Sequence, residues 1–287
     1  MTPWLLAARP KTLAAAVTPV LVGTALACVR SNVAWPPFLF ALLGAVFIQI
    51  GTNYVNDALD FKKGADTHAR LGPLRVTQAG LLGADAVLRG AYVCFGLAAL
   101  CGIPLILRGG WPIAIVGVAS ILAAYAYTGG PYPLAYHGLG ELFVMIFFGF
   151  TAVCGSFYLQ QLTLDITAWI GGFAVGSLAV VILAINNLRD IDNDRASSKR
   201  TLAARFGASF ARTEIVIFAL APFVCVAAIA YLRRSMTLLI PLLAVVPAIA
   251  LLVRVARSDG ASLNRCLALA GALEWIFGIL YVVGAAV

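Results

Sequence analysis

Residues 36–60 read PPFLFALLGAVFIQIGTNYVNDALD, an apolar run that ends in two acids, Asp57 and Asp60. About twenty apolar residues in a helix cross the roughly 30 Å hydrocarbon core of a bilayer. A carboxylate at the centre of such a helix costs about 2.5–3.5 kcal/mol on insertion scales. The stretch therefore predicts a membrane-spanning helix whose polar end has a functional role.

Apolar segments of this kind recur along all 287 residues. The chain is 62% apolar and only 11% charged, which is too few charges to cover the exterior of a soluble protein. The nine predicted segments lie near 12–29, 36–57, 86–107, 111–128, 139–160, 167–187, 212–232, 236–253 and 267–287. We predict an all-α integral membrane protein with about nine transmembrane helices in a single domain, 1–287.

The basic residues indicate how the chain is oriented. With a cytoplasmic N-terminus, only four of the 20 Lys and Arg residues fall outside: Arg30, Arg108, Arg233 and Arg234. This asymmetry follows the positive-inside rule, so we expect a multi-pass protein of the cell (inner) membrane with its N-terminus and acidic loops in the cytoplasm. The same placement explains the net charge of +8 without nucleic acid as a partner.

Half of the 12 acidic residues lie in two short stretches, each of which begins where an apolar segment ends. The six are Asp57, Asp60 and Asp66, then Asp190, Asp192 and Asp194. On a helix with about 100° per residue, Asn53, Asp57 and Asp60 fall within roughly 60° of one face.

The second stretch has a similar geometry, because Asn186, Asp190 and Asp194 would fall within roughly 80° of one helix face. Asp192 points away and is left out of the site. The runs VFIQIGTNYVND and VVILAINNLRD also align, which places Asn53 over Asn186 and Asp57 over Asp190. We interpret this as a weak repeat of two helical halves, roughly 1–135 and 136–287.

Opposed carboxylates repel each other unless cations lie between them. Carboxylate and amide oxygens suit Mg²⁺, which typically takes one or two carboxylates and completes its shell with water and phosphate oxygens. The nearby basic residues suit the same anion. They are Lys62, Arg70, Arg75, Lys199 and Arg200. The pattern predicts two polar rows that hold Mg²⁺ around a diphosphate.

Two other interpretations stay open. The acids are also compatible with helix-end residues paired with neighbouring Lys and Arg. An ion-coupled transporter likewise combines internal repeats with intramembrane acids, although such sites usually lie near the midplane of the bilayer.

At these residues the sequence resembles the intramembrane aromatic prenyltransferases that make ubiquinone, menaquinone and plastoquinone. That superfamily has an NDxxD-type motif after its second helix and a DxxxD motif after its sixth. Here the motifs are Asn56–Asp60 and Asp190–Asp194. Five segments are most similar to the 1,4-dihydroxy-2-naphthoate polyprenyltransferase branch. They are ARPKTL at 8–13, NDALDFKKGADT at 56–67, RLGPLRVTQAG at 70–80, YTGGPYPLAYHGLGE at 127–141 and NNLRDIDNDRASSKRTLAARFG at 186–207.

The resemblance implies nine helices around a central cavity that is capped on the cytoplasmic side. It implies Mg²⁺-dependent transfer of a polyprenyl group from polyprenyl diphosphate to 1,4-dihydroxy-2-naphthoate with decarboxylation, giving demethylmenaquinone. Within the superfamily the alternative acceptors are 4-hydroxybenzoate and homogentisate. The chain departs from the family pattern at Asp66, six residues beyond Asp60, and at Ser198, where glycine is expected.

The resemblance and the spacing together give the candidate site. The candidate catalytic residues are Asp57, Asp60, Asp190, Asp194 and Lys199, and the four acids are also the candidate metal ligands, with Asp66 as a possible fifth. The candidate substrate-binding residues are Asn53, Asn56, Arg70, Arg75, Gln78, Tyr127, Asn186, Asn187 and Arg200. For Glu141 two interpretations stay open: it orients the acceptor, or it is an exposed helix-start carboxylate favoured by the helix dipole.

Overall fold

Helices make up nearly all the regular structure of the computed structural model, which describes residues 2–29, 32–64 and 71–287 except the side chain of Lys11. The all-α prediction is confirmed for those ranges, which contain no strand. The α-helices are α1 Pro3–Ala8, α2 Ala14–Ala27, α3 Trp35–Lys62, α4 Ala84–Gly109, α5 Trp111–Ala126, α6 Gly140–Val144, α7 Ala152–Gln161, α8 Ile166–Arg189, α9 Ile191–Ala196, α10 Leu202–Phe206, α11 Ala208–Arg233, α12 Val245–Ala256 and α13 Leu263–Ala286. A π-helical stretch, Met145–Thr151, joins α6 to α7, and a 3₁₀ stretch, Met236–Ala244, leads into α12.

Seven helical runs in the described ranges are long and apolar enough to cross a membrane. They are Trp35–Lys62, Ala84–Gly109, Gly140–Gln161, Ile166–Arg189, Ala208–Arg233, Met236–Ala256 and Gly260–Ala286. The other two predicted segments also form apolar helices, α2 and α5, but with 14 and 16 residues they are only about 21–24 Å long. The chain is thus a multi-pass membrane protein.

The most buried of the seven spans is α8. Its apolar window is 72% buried, against 28–44% in the other six, so α8 lies at the centre of the bundle. It packs against α2, α7, α11 and α13, and these helices share one large apolar core. A second, smaller core joins α1, α3 and α4.

Glycines bring α8 unusually close to the π-helical stretch. A Cβ on Gly149 would lie 2.6 Å from the carbonyl oxygen of Gly172, and one on Gly176 would lie 2.9 Å from the Cα of Gly149. Small residues at such crossings let two helix backbones touch. Larger side chains at these positions would push the two helices apart.

The acids lie at one end of this bundle. The 28 residues of α3 extend about 42 Å, which is longer than the roughly 30 Å hydrocarbon core. The last turns of α3, which carry Asp57 and Asp60, therefore continue past the apolar part of the bundle. The loops 71–83 and 127–139 and the short helices α9 and α10 gather at the same end.

The structure differs from the sequence prediction after α8. We expected Asn186, Asp190 and Asp194 on one continuous helix, but α8 ends at Arg189 and Asp190 has φ −100° and ψ 12°. A new helix, α9, starts at Ile191. Because the helix is interrupted at Asp190, the uniform angular spacing does not hold across the second motif.

Candidate functional site

A small polar cavity of about 60 Å³ lies where α3, α8 and the two loops meet. Its polar lining residues are Arg9, Asn56, Asp60, Arg75, Tyr127, Thr128, Glu141, Asn186, Asn187, Lys199 and Thr201. Seven of these were candidate site residues from the sequence.

Asp60 is the acid of the first motif that lines the cavity. Its Oδ2 lies 3.3 Å from an Nη of Arg75, and its Oδ1 accepts a hydrogen bond of 3.1 Å from the Tyr136 hydroxyl. Both Asp60 and Arg75 are buried. A buried ion pair that also has a hydroxyl donor fixes the carboxylate in place.

Asp194 of the second motif is itself absent from the cavity lining, but both of its partners, Thr201 and Lys199, line the cavity. Its Oδ2 accepts a hydrogen bond of 3.2 Å from Thr201, and its Oδ1 lies 4.0 Å from the Nζ of Lys199. Burial raises the pKa of Asp194 to about 6; Lys199 opposes the rise, whereas Asp190 and Asp60 add to it. The repulsion between Asp60 and Asp194 shows that the two motifs lie within electrostatic reach of each other.

Asp57 and Asp190 have other partners and are absent from the lining of the cavity. Asp57 accepts hydrogen bonds from the backbone amides of Val76, at 3.2 Å, and Thr77, at 3.0 Å, and so holds the loop against α3. Asp190 is paired with its neighbour Arg189, whose guanidinium lies 2.8 Å from Oδ1 and 2.5 Å from Oδ2.

The candidate asparagines also differ in whether they line the cavity. Asn53 donates to the carbonyl of Ala8, at 2.9 Å, and to Thr12, so it anchors the N-terminal segment rather than lining the cavity. Asn56, which accepts from the Thr128 hydroxyl, lines the cavity. The two other asparagines, Asn186 and Asn187, also line it.

Of the remaining candidates, Lys199 and Arg75 line the cavity, whereas Arg200 is exposed and Gln78 is half-buried in the loop. Arg70 and Asp66 lie outside the described residues. Ser198, where the family pattern has glycine, has a φ of +57°. That left-handed backbone conformation favours glycine because an L side chain crowds the following carbonyl.

Tyr136 is a site residue that the sequence analysis missed. Lys63 lies 4.8 Å and Lys199 lies 5.5 Å from its ring centroid, while its hydroxyl binds Asp60. Burial lowers the pKa of Lys63; Asp60 opposes the fall and Lys199 adds to it. The sequence did contain an indication of this role, because Tyr136 belongs to the 127–141 segment that carries the family resemblance.

A larger apolar cavity of about 300 Å³ adjoins the polar one. It lies among α2–α5, the π-helical stretch and α7, and small side chains such as Ala45, Gly102 and Gly117 line much of it. Tyr127 borders both cavities, and burial raises its pKa. The site therefore combines a charged pocket with an apolar space that continues into the bundle.

The donors present fit a magnesium site that is completed by a ligand. No cluster of three or more His, Cys, Asp or Glu residues that could hold a metal is found in the described part of the chain. Mg²⁺ rarely uses such an all-protein cage, and it is usually held by one or two carboxylates together with substrate phosphates. Asp60, Asn56 and Asn186 line the cavity with oxygen donors of that kind, and Asp194 is paired with the lining residues Lys199 and Thr201.

Known proteins are similar to this chain in sequence. The model of the "UbiA prenyltransferase family" matches residues 16–283. A 1,4-dihydroxy-2-naphthoate octaprenyltransferase of Mycobacterium tuberculosis is 42% identical over 71% of this chain and 70% of its own length. The enzyme of the same name from Escherichia coli is 39% identical over 78% of this chain and 75% of its own length. The one from Haemophilus influenzae is 34% identical over 84% of this chain and 83% of its own length.

Solved structures show the same fold. A UbiA homologue from Archaeoglobus fulgidus, bound to GPP and Mg²⁺, has a TM-score of 0.73 at 15% identity and covers 99% of this chain and 100% of its own. An apo UbiA homologue from Aeropyrum pernix has a TM-score of 0.75 at 15% identity and covers 95% and 97%.

The fold and the site define an intramembrane transferase. The chain belongs to the UbiA prenyltransferase family. The sequence prediction of a prenyltransferase is confirmed at this level.

Proposed function

We propose that this prenyltransferase transfers a polyprenyl group from polyprenyl diphosphate to 1,4-dihydroxy-2-naphthoate, with loss of the carboxylate as CO₂, giving demethylmenaquinone. The observation that carries the proposal is the junction of a polar, acid-lined cavity with a 300 Å³ apolar cavity at Tyr127. An amphipathic donor with a diphosphate head and a hydrocarbon tail matches that division. The names of the relatives at 34–42% identity support the acceptor.

The head of the donor belongs in the polar cavity. Asp60, which lines that cavity, and Asp194, which is paired with the lining residues Lys199 and Thr201, would hold Mg²⁺, and the ion would supply the charge neutralisation that makes diphosphate a better leaving group. Arg75 and Lys199 bind the phosphate oxygens, and Asn56 and Asn186 orient them. Asp57 and Asp190 join as ligands only by exchanging their present partners, the loop amides and Arg189.

The tail of the donor belongs in the apolar cavity, and its first carbon then lies at Tyr127, where the two spaces meet. An allylic cation formed there is stabilised by the face of an aromatic ring. The apolar walls keep water away from it, so that the acceptor ring attacks instead.

The placement in the cell is part of the same proposal. With α2 and α5 as two further crossings there are nine spans, and the basic loops then face the cytoplasm of the inner membrane. The polar cavity with its capping loops opens on that side, where a water-soluble acceptor is available.

One assay tests the proposal. The purified chain is incubated with a labelled polyprenyl diphosphate, Mg²⁺ and, in parallel, 1,4-dihydroxy-2-naphthoate, 4-hydroxybenzoate or homogentisate. We expect a labelled lipid-soluble product and CO₂ with the naphthoate alone, and no product after EDTA is added. Product with another acceptor and none with the naphthoate would refute the proposed substrate.

A further inference from the structure

One buried carboxylate of the polar cavity is left over by the mechanism above. Glu141, the second residue of α6, is only 7% exposed and lines the cavity beside Tyr127. Its Oε1 accepts a hydrogen bond of 2.8 Å from the Nδ2 of Asn187 on α8. Its Oε2 is buried and has no hydrogen-bond partner among the described residues.

The surroundings of Glu141 are unsuited to a diphosphate. No ion pair to Glu141 occurs in the ranges that the structure describes, and a second carboxylate, Glu214, lies within electrostatic reach. An anionic head is repelled at Glu141, whereas a hydroxyl donor supplies the hydrogen bond that Oε2 lacks.

Glu141 also lies near the reacting carbon. The first carbon of the donor is placed at Tyr127, and Glu141 is close enough to raise the pKa of that tyrosine. Gly140, the residue before Glu141, lies against Tyr127: a Cβ on Gly140 would be 3.2 Å from the Tyr127 hydroxyl oxygen. A ring that attacks the carbon at Tyr127 therefore has Glu141 within reach of its substituents.

We propose, on the basis of the function proposed above, that Glu141 binds the ring hydroxyl ortho to the carboxylate of the aromatic acceptor through Oε2 and serves as its proton acceptor. As the carbon that bears the carboxylate bonds to the allylic carbon, the C–O bond to diphosphate breaks and its electron pair leaves with diphosphate. The hydroxyl proton passes to Glu141, and the O–H electron pair forms a ring carbonyl.

The remaining step restores the ring. The carboxylate, now β to a carbonyl, leaves as CO₂, and the electrons of the broken C–C bond return through the ring to the carbonyl oxygen. That oxygen takes its proton back from Glu141. Glu141 ends the cycle ionised, as it began, and no further reactant is needed.

The test compares Glu141→Gln with Glu214→Gln. Both variants remove a buried carboxylate from the same region, but Glu214 is absent from the lining of the cavity. With a labelled polyprenyl diphosphate and 1,4-dihydroxy-2-naphthoate, we expect Glu141→Gln to lower kcat about 100-fold. The KM for the donor should change less than about threefold, and Glu214→Gln should retain wild-type kcat.

An acceptor that lacks this hydroxyl gives a second measurement, which does not depend on how a variant folds. We expect 4-hydroxy-2-naphthoate, which lacks the hydroxyl ortho to the carboxylate, to be about 100-fold slower than the full acceptor in the wild-type chain. The same deletion should cost Glu141→Gln almost nothing further, because its partner is already gone.

Three results would overturn the inference. The first is a Glu141→Gln variant with at least half the wild-type kcat, and the second is an equal loss for the deleted hydroxyl in both chains. The third is a wild-type chain that reacts as fast with 4-hydroxy-2-naphthoate as with the full acceptor. A wild-type chain inert toward every naphthoate would overturn the proposed function itself and this inference with it.

Discussion

Replacing Asp57 with alanine should release the loop that follows α3. The Asp57 carboxylate accepts two hydrogen bonds from backbone amides, those of Val76 and Thr77, and Asp57 is only 1% exposed. Hydrogen bonds to a charged group contribute about 1.5–3 kcal/mol each, so the pair contributes about 3–6 kcal/mol to keeping the loop closed. The opening equilibrium of the loop should therefore rise about 10²- to 10⁴-fold.

Amide hydrogen exchange measures this opening directly, at Val76 and Thr77 in the detergent-solubilised chain. Asp60→Ala is the matched control: it removes a carboxylate one turn later on α3, and no backbone amide donates to Asp60 in the described ranges. It should abolish turnover but raise the exchange of both amides much less than Asp57→Ala does, because Asp60 holds the loop only through the side chain of Arg75. Wild-type exchange rates at Val76 and Thr77 in Asp57→Ala would refute the idea that Asp57 anchors the loop.

Three further predictions concern positions outside the acidic motifs. Gly102→Leu places a side chain in the apolar cavity and should lower kcat/KM for long donors relative to short ones about tenfold. Gly96→Leu on the same helix is the control and should leave this ratio unchanged. A Cβ at either glycine meets open space. Equal chain-length profiles of the two variants would contradict the placement of the tail. Glu274→Leu should raise the thermal midpoint in detergent by a few degrees, because both carboxyl oxygens of this fully buried residue lack hydrogen-bond partners among the described residues. Ser198→Gly should add roughly 0.5–1 kcal/mol to the free energy of unfolding, since it relieves a left-handed backbone conformation, and an unchanged denaturation curve would argue against strain there.

The fold class was predictable because lipid leaves few choices to a backbone. A polar peptide group without a hydrogen-bond partner is costly in hydrocarbon, so a long apolar run must be helical. The run ending at Asp57 and Asp60 is indeed one helix, Trp35–Lys62. The sequence was a weaker guide to whether the shorter helices, α2 and α5, cross the bilayer, because length alone does not decide it.

The candidate site was predictable in composition but less so in geometry. Spacing alone treats Asp57 and Asp60 as equivalent members of one helix face. The structure separates them, because the amides of the following loop reach Asp57 whereas Arg75 and Tyr136 reach Asp60. Whether the two predicted halves, 1–135 and 136–287, are true repeats stays a prediction.

The sequence by itself determined that this is a membrane-embedded helical bundle with two acid motifs at one end, since apolar length and charge placement are local properties of the chain. Only the tertiary structure decided that Asp60 and Glu141 line one cavity and that Tyr136 binds Asp60. The physical reason is that a carboxylate's role depends on the donors that reach it. Those donors come from loops and helices distant in sequence, whose approach is set by packing around α8.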